Sequence, residues 1–267
     1  MTTGNDRTGD IAEIETLVGF ANELADLAGS VIRPWFRKPL DVIAKADASP
    51  VTIADRATEE ALRARIAERF PDHGILGEEF GGERTDAEWI WHLDPIDGTK
   101  SFISGSPLFA TLIALTRNGE PVIGMIDQPI MNERWLGVTG RQTLFNGAPV
   151  STRSCPDIAQ ATFYSWGAEC FDGDGGDALR RLADAAGLRR YSADAYAYGL
   201  LALGFVDIVA ETDLKPHDYL ALAPVVNGAG GRITDWTGAE IRLGTGSWAL
   251  ACGDATLHAQ ALELLQG

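Results

Sequence analysis

The segment Trp91-His92-Leu93-Asp94-Pro95-Ile96-Asp97-Gly98-Thr99-Lys100-Ser101-Phe102 holds the residue types of this sequence best suited to chemistry. An apolar run leads into two aspartates three apart, Pro95 fixes the chain between them, and Gly98 permits an unusual backbone turn. Two carboxylates delivered to one point repel unless a proton or a cation lies between them. An all-oxygen donor set with no cysteine or histidine cluster favours magnesium over zinc. If Gly98, Thr99 and Lys100 open a helix or a turn, their backbone N–H groups face an anion, and metal and phosphate share one pocket. The same spacing also suits a strand-ending turn in which Asp97 caps a helix.

Two other acidic signals lie far from this segment in the chain. Gly77-Glu78-Glu79 follows the apolar Ile75-Leu76, so one glutamate can emerge at a second strand end; a solvated loop is the ordinary alternative. Asp218 follows Lys215-Pro216-His217 at the start of a helix, where capping is the ordinary role of an aspartate.

The elements that must carry these residues are legible from periodicity. Apolar positions from Ile11 to Ile32 recur at three and four, the pattern of a long amphipathic helix from Asp10 to near Pro34. Thr52 and Asp55 announce a second helix that ends before Pro71. Trp89 to Leu93, Phe109 to Thr116, Pro121 to Asp127 and Arg134 to Val138 read as strands, and Asn118-Gly119 and Asn146-Gly147 as tight turns, the first joining a hairpin. Beyond the polar stretch Asn146 to Pro156, helices are expected over Asp177–Ala186, Ala193–Gly204 and His217–Gly228, and from Asp254 onward. Strands are expected over Val206–Glu211, Arg232–Asp235 and Trp248–Cys252. The expected architecture is an α+β first half, residues 9–148, packed on a layered α/β second half, residues 149–267.

Composition narrows the function classes. The chain has 267 residues, 45% of them hydrophobic and 22% charged, which fits a folded protein with a substantial core. A net charge of −16 repels a phosphate backbone, and the short basic pairs Arg180-Arg181 and Arg189-Arg190 do not make a nucleic-acid surface. The N-terminal residues lack a basic start and an apolar h-region, and no stretch has the roughly 18 to 20 apolar residues of a membrane span. Cys155, Cys170 and Cys252 are odd in number and have no CxxC spacing, the usage of reduced thiols, so the cytoplasm is the expected compartment. His73, His92 and His258 show no ligand spacing, and the seven tryptophans are expected in the core or at an interface.

Taken together, Pro50-Val51-Thr52-Ile53-Ala54-Asp55, Gly77-Glu78-Glu79, Asp94 to Phe102, and His217-Asp218-Tyr219 with Gly228-Ala229-Gly230-Gly231 resemble the inositol monophosphatase superfamily of magnesium-dependent phosphatases in order and spacing. The segments Asp213 to Leu222 and Lys100 to Phe109 are more similar to its histidinol-phosphatase branch. Inositol monophosphatases usually carry tryptophan before the last metal aspartate, where this sequence has His217.

The resemblance implies an αβαβα sandwich, a homodimer, and two or three Mg²⁺ ions in each active site. It implies that Glu78, Asp94 and the Ile96 carbonyl bind one ion and that Asp94, Asp97 and Asp218 bind a second, with Glu78 reaching a third. An aspartate bridging two ions holds them about 3.5 to 4 Å apart, the arrangement for in-line displacement at phosphorus. Thr99 and Glu78 are then the residues that orient the attacking water, and Asp55 accepts the Thr99 hydroxyl. Asp97, Gly98, Thr99 and Lys100 line the phosphate side, with a solvated Lys100 equally open. Arg190, Asp194, Glu211 and Asp218 line the leaving-group side, Arg190 doubling as an ordinary surface charge beside Arg189 and Glu211 also matching an inositol-binding glutamate. The implied reaction is hydrolysis of L-histidinol phosphate to L-histidinol and phosphate in histidine biosynthesis. Inositol 1-phosphate and other small phosphomonoesters are the alternatives.

Overall fold

The computed structural model describes residues 5–39, 42–44 and 50–267. The first layer is a pair of helices, α1 (Asn5–Ile32) and α2 (Ile53–Arg69). Strands β1 (Val42–Ala44) and β2 (Pro50–Thr52) pair antiparallel just before α2. Thr52 and Asp55 close a reciprocal capping box at the start of α2, so the helix begins where its cap residues place it.

These helices cover one face of an eight-stranded sheet. Its members are β3 (Gly74–Gly77), β4 (Gly81–Glu83), β5 (Trp89–Asp97), β6 (Ala110–Arg117), β7 (Glu120–Gln128), β8 (Glu133–Val138), β9 (Leu144–Phe145) and β10 (Ala148–Pro149). The order is β10-β9-β8-β7-β6-β5-β3-β4, antiparallel throughout except for the parallel β3–β5 pair. Asn118 and Gly119, both at positive φ (52° and 85°), turn β6 into β7. Strand β5 runs four residues past the apolar run that announces it. Its pairing with β6 slips between Asp94 and Asp97, around Pro95, and the five-residue helix α3 (Thr99–Ile103) follows.

The second sheet contains β11 (Thr162–Ser165), β12 (Leu188–Tyr191), β13 (Ile208–Glu211), β14 (Arg232–Thr234) and β15 (Ala249–Cys252), in the order β12-β11-β13-β15-β14. Helices α4 (Gly176–Ala185) and α7 (Ala255–Gln266) cover its outer face, and α5 (Tyr196–Ala202) and α6 (Pro216–Gly228) lie between the two sheets. Three apolar clusters mark the interfaces. Leu24, Leu62 and Trp91 belong to the outer helix–sheet layer, Ile126, Tyr219 and Val209 to the middle, and Phe163, Leu179 and Leu257 to the far side. The fold is thus an αβαβα sandwich. Strands β11 and β12 lie outside the strands that periodicity marks, and α5 begins at Tyr196 rather than Ala193, because Ser192 and Asp194 adopt left-handed backbone (φ 67° and 44°). The three cysteines are free and buried, and no described helix is long and apolar enough to cross a membrane.

One contact in the middle layer governs the site. Gly124 and Gly137 are cross-strand partners on β7 and β8 directly under α6. A Cβ at Gly137 would lie 2.3 Å from the Pro224 carbonyl carbon, and one at Gly124 would lie 2.1 Å from the Ala221 oxygen. The helix backbone therefore rests on the bare sheet. Gly137→Ala drives a methyl into helix backbone, and a loss of about 1–3 kcal/mol is expected, read as a melting-temperature fall of roughly 3 to 10 °C. An unchanged melting temperature would show that α6 can ride outward freely.

Candidate active site

The parallel neighbours β3 and β5 end side by side, and each releases acids there. Glu78 follows β3, and its amide donates to the Leu93 carbonyl at 3.1 Å, one residue before Asp94. Asp94 is 3% exposed, and its Oδ1 accepts the Ile96 amide at 3.0 Å. The register slip that follows brings Asp97 to the same end of the strand, where its Oδ2 accepts the Ala195 amide at 2.6 Å. The left-handed residues before α5 thus serve to aim that amide.

Asp218 arrives from α6 and plays both of the parts open to it. Its Oδ2 caps the helix by accepting the Lys215 amide at 2.7 Å, while its Oδ1 lies 3.5 Å from His217 Nε2. Carboxylate oxygens of Asp94, Asp97 and Asp218 lie within 4.8 Å of one another. Burial, reinforced by Glu78, Asp97 and Asp218, holds the Asp94 carboxyl well above the usual range. Burial with Asp194 and Asp218 does the same for Asp97, and burial raises Asp218. One buried and two half-buried acids that resist ionising together, with no lysine or arginine side chain among their hydrogen-bond partners in the described residues, form a donor set that fits a hard divalent cation.

Beside the trio is a cleft of about 220 Å³ lined by Glu78, Gly98, Thr99, Lys100, Ser101, Trp166, Ser192 and Asp194. Gly98 is at φ 85°, and a Cβ there would lie 2.7 Å from Asp194 Oδ2, so glycine is required both for the turn and for the approach. Asp194, raised to about 6 by burial, accepts from the Ser101 hydroxyl at 3.4 Å. Glu211 on β13 is 3% exposed and pushed up to about 8 by burial and Asp194. The Tyr198 hydroxyl donates to its Oε2 at 3.0 Å, and its Oε1 is buried without a partner.

Three sequence expectations are modified. Asp55 does not receive the Thr99 hydroxyl, which instead donates back to the Ile96 carbonyl at 3.2 Å, the reach of a threonine to the residue three before it. Asp55 Oδ2 is occupied by the Thr52 amide and hydroxyl at 2.8 and 2.5 Å, and its Oδ1 is buried with no partner. Arg190 does not line the cleft; it is exposed on the edge strand β12. Lys100 lines the cleft but is 69% exposed, 3.4 Å from Glu169 and 5.3 Å above the Trp166 ring. Trp166, expected in the core or at an interface, packs against the far-side apolar cluster and also walls the cleft, a role that no periodic pattern around it marks.

Apart from His217, the histidines are structural. His92 is fully buried against the Thr116 hydroxyl at 3.0 Å and is lowered by burial to about 3. His73 accepts from the Trp91 indole at 3.1 Å, and His258 lies 2.9 Å from the Thr234 hydroxyl.

A layered sandwich with an acid-lined cleft where two parallel strands end is the architecture of a metal-dependent phosphatase. The model of the inositol monophosphatase family matches residues 13–266, and the chain belongs to that family as one of its phosphatases. It is 49% identical over 263 residues to the chloroplastic bifunctional phosphatase IMPL2 of Arabidopsis thaliana, covering 95% of this chain and 76% of that one. It is 38% identical over 222 residues to the histidinol-phosphatase of Mycobacterium tuberculosis, covering 80% of this chain and 85% of that one. Among solved structures, an inositol monophosphatase from Zymomonas mobilis superposes with a TM-score of 0.87 at 42% identity, covering 95% of this chain and 98% of that chain.

Proposed function

We propose that the chain hydrolyses L-histidinol phosphate to L-histidinol and phosphate, a step of histidine biosynthesis, with Mg²⁺ held by Glu78, Asp94, the Ile96 carbonyl, Asp97 and Asp218. The observation that carries the phosphatase chemistry is the meeting of Asp94, Asp97 and Asp218 at the edge of a cleft that also exposes Glu78 and Thr99. Bound magnesium, two or three ions in all, supplies an activated water and neutralises the attacking and leaving oxygens.

The chain's own residues do the rest. Glu78 and Thr99 orient the attacking water. The buried, unpartnered Asp55 Oδ1 is an acceptor available to the Thr99 hydroxyl whenever that hydroxyl leaves Ile96. Amides of Gly98, Thr99 and Lys100 face the phosphate, with Lys100 adding charge at the rim.

The leaving-group side supports an amino alcohol. Asp194 and Glu211 gain most from ionising beside a cation, and histidinol brings an ammonium and a basic imidazole. The Trp166 face adds a flat apolar wall suited to a ring. His217, in the place where inositol phosphatases usually have tryptophan, and the histidinol-phosphatases among the relatives favour the same substrate. Inositol 1-phosphate is the second reading, supported by Glu211 Oε1, an unpartnered acceptor for a neutral hydroxyl.

Phosphate release by the Mg²⁺-loaded protein from histidinol phosphate, inositol 1-phosphate and a nucleotide 3′-phosphate decides between them. The expected kcat/KM is highest for histidinol phosphate by about tenfold or more. A preference for either competitor would reject the substrate assignment while leaving the phosphatase intact. We further propose a homodimer and retain the cytoplasm as its compartment, with no nucleic-acid or membrane partner.

A further inference from the structure

Glu59 lies one turn beyond Asp55 on α2, is completely buried, and has no part in the chemistry above. A carboxylate at zero exposure persists only where its charge is matched by donors. Two of its donors come from the turn after β3 and one from its own helix. Oε2 accepts the Glu79 amide at 2.7 Å, and Oε1 accepts the Phe80 amide at 3.1 Å and Arg63 Nε at 2.7 Å. Arg63, one turn further along the helix, also donates to the Gly81 carbonyl and approaches Glu83 at 3.9 Å. The Phe80 ring lies beneath the guanidinium groups of Arg56 and Arg63, 5.1 and 6.0 Å away.

These contacts grip the three-residue turn 78–80 between β3 and β4 from the helix side. From the sheet side, the Glu78 amide is fixed to Leu93. Gly77 completes the fit, since a Cβ there would lie 2.0 Å from Glu59 Oε1. No side chain can come between the end of β3 and the Glu59 carboxylate.

We propose that Glu59 is the positioning residue for Glu78. Its charge-assisted hydrogen bonds hold the 78–80 turn against α2, so that the Glu78 carboxylate is delivered to the cleft at a fixed place relative to Asp94. The same helix therefore supplies Asp55 to the site from one turn and fixes Glu78 from the next. This rests on the reading of Glu78 as a metal ligand and water-orienting group. Residues that orient such ligands change affinity or activity by about 10- to 100-fold when replaced, and a misplacement of about 1 Å has a similar cost.

The test compares Glu59→Gln, Glu78→Gln and the double variant. It reads kcat and KM, Mg²⁺ binding by calorimetry without substrate, and amide hydrogen exchange at Glu79 and Phe80. Glu59→Gln keeps the shape but sets an amide N–H₂ against backbone donors. It is expected to speed exchange at those two amides, and to lower kcat and weaken Mg²⁺ binding by roughly 10- to 100-fold. KM at saturating Mg²⁺ is expected to stay within about threefold. The double variant should be no worse than Glu78→Gln alone, because Glu59 acts through Glu78. Arg63→Met, which leaves Glu59 in place but loosens it, should move the same readouts in the same direction by several-fold, and it serves if Glu59→Gln does not fold.

Losses that multiply in the double variant would overturn the proposal. So would unaltered Mg²⁺ affinity alongside a lowered melting temperature in Glu59→Gln, which is the mark of a purely structural residue. Full activity and Mg²⁺ affinity in Glu78→Gln would reject the reading of Glu78 itself, a failure distinct from slow exchange at Glu79 and Phe80 in Glu59→Gln, which would reject the clamp.

Discussion

Asp94→Asn is expected to abolish turnover, by at least about three orders of magnitude, and at the same time to raise the melting temperature of the metal-free protein. The first effect follows from position: Asp94 interacts with Glu78 as well as with Asp97 and Asp218, and its carboxylate is one of the three that meet within 4.8 Å at the proposed cation site. Metal-held charge stabilisation is worth several kcal/mol in the transition state, and each 1.36 kcal/mol is a factor of ten in rate. The second effect follows from burial. At 3% exposure, Asp94 is held well above its ordinary range by desolvation and by four acidic neighbours. Asparagine removes that charge and keeps the Oδ1 acceptor for the Ile96 amide, so no hydrogen bond in the strand end is lost. Melting in chelator at pH 8 should rise by a few degrees, the equivalent of roughly 1–2 kcal/mol. Retained turnover would remove Asp94 from the metal site. A lower melting temperature with and without Mg²⁺ would make it a structural residue instead.

Where chemistry repeats along the chain, the sequence is readable. The three-and-four spacing in α1, the Thr52–Asp55 box before α2 and the Asn118-Gly119 turn are each local devices, and the structure uses each of them locally. The edge strand β12 is exposed along its whole length and carries Leu-Arg-Arg-Tyr, so no alternation exists to be seen. Its neighbour β11 has only four residues, too few for a period. The shortening of α5 comes from left-handed backbone at Ser192 and Asp194, residues whose polar side chains give no warning of it.

The site divides in the same way. Asp94 and Asp97 stand close together in one motif, but Asp218 reaches them only because α6 lies on bare sheet, and the signs of that contact are two glycines in strands that otherwise read as ordinary. Glu59 lies one turn after Asp55 on the same helix face, a spacing that does not by itself mark it as buried. On sequence alone it is indistinguishable from Glu60 beside it, which is exposed. Arg190, carried over from a family resemblance with an ordinary surface charge as its alternative, falls on an exposed edge strand, and motif spacing does not report which way a short strand turns its side chains.

Chelation is expected to stop hydrolysis completely, and to leave a protein whose stability falls as the pH rises. Glu211, raised to about 8, and Asp194, raised to about 6, hold their protons more tightly in the folded chain than in the unfolded one, as do Asp94 and Asp97. Between the ordinary carboxyl range near pH 4 and these raised values, the folded protein binds more protons than the unfolded chain, so each unit of pH lowers the free energy of unfolding. For Asp194 and Glu211 the contribution is full below about pH 4, is lost as the pH rises through about 6 and about 8, and is flat above that. Mg²⁺ reverses the balance at Asp94, Asp97 and Asp218, because it binds only the assembled, deprotonated site. The stabilisation by saturating Mg²⁺ over chelator should therefore widen with pH, by up to about 1.4 kcal/mol per pH unit for each proton displaced. Melting at pH 5.5, 7 and 8.5, with Mg²⁺ and with chelator, measures it. A gap that stays constant or narrows would mean that the three aspartates are already ionised and separately solvated, and hydrolysis that survives the chelator would mean that they hold no ion needed for the reaction. The slope that persists in Mg²⁺ reports Asp194 and Glu211, which lie outside the trio. A cationic leaving group should flatten it, because an ammonium beside them returns both carboxyls toward their ordinary range, whereas a neutral polyol should leave it in place.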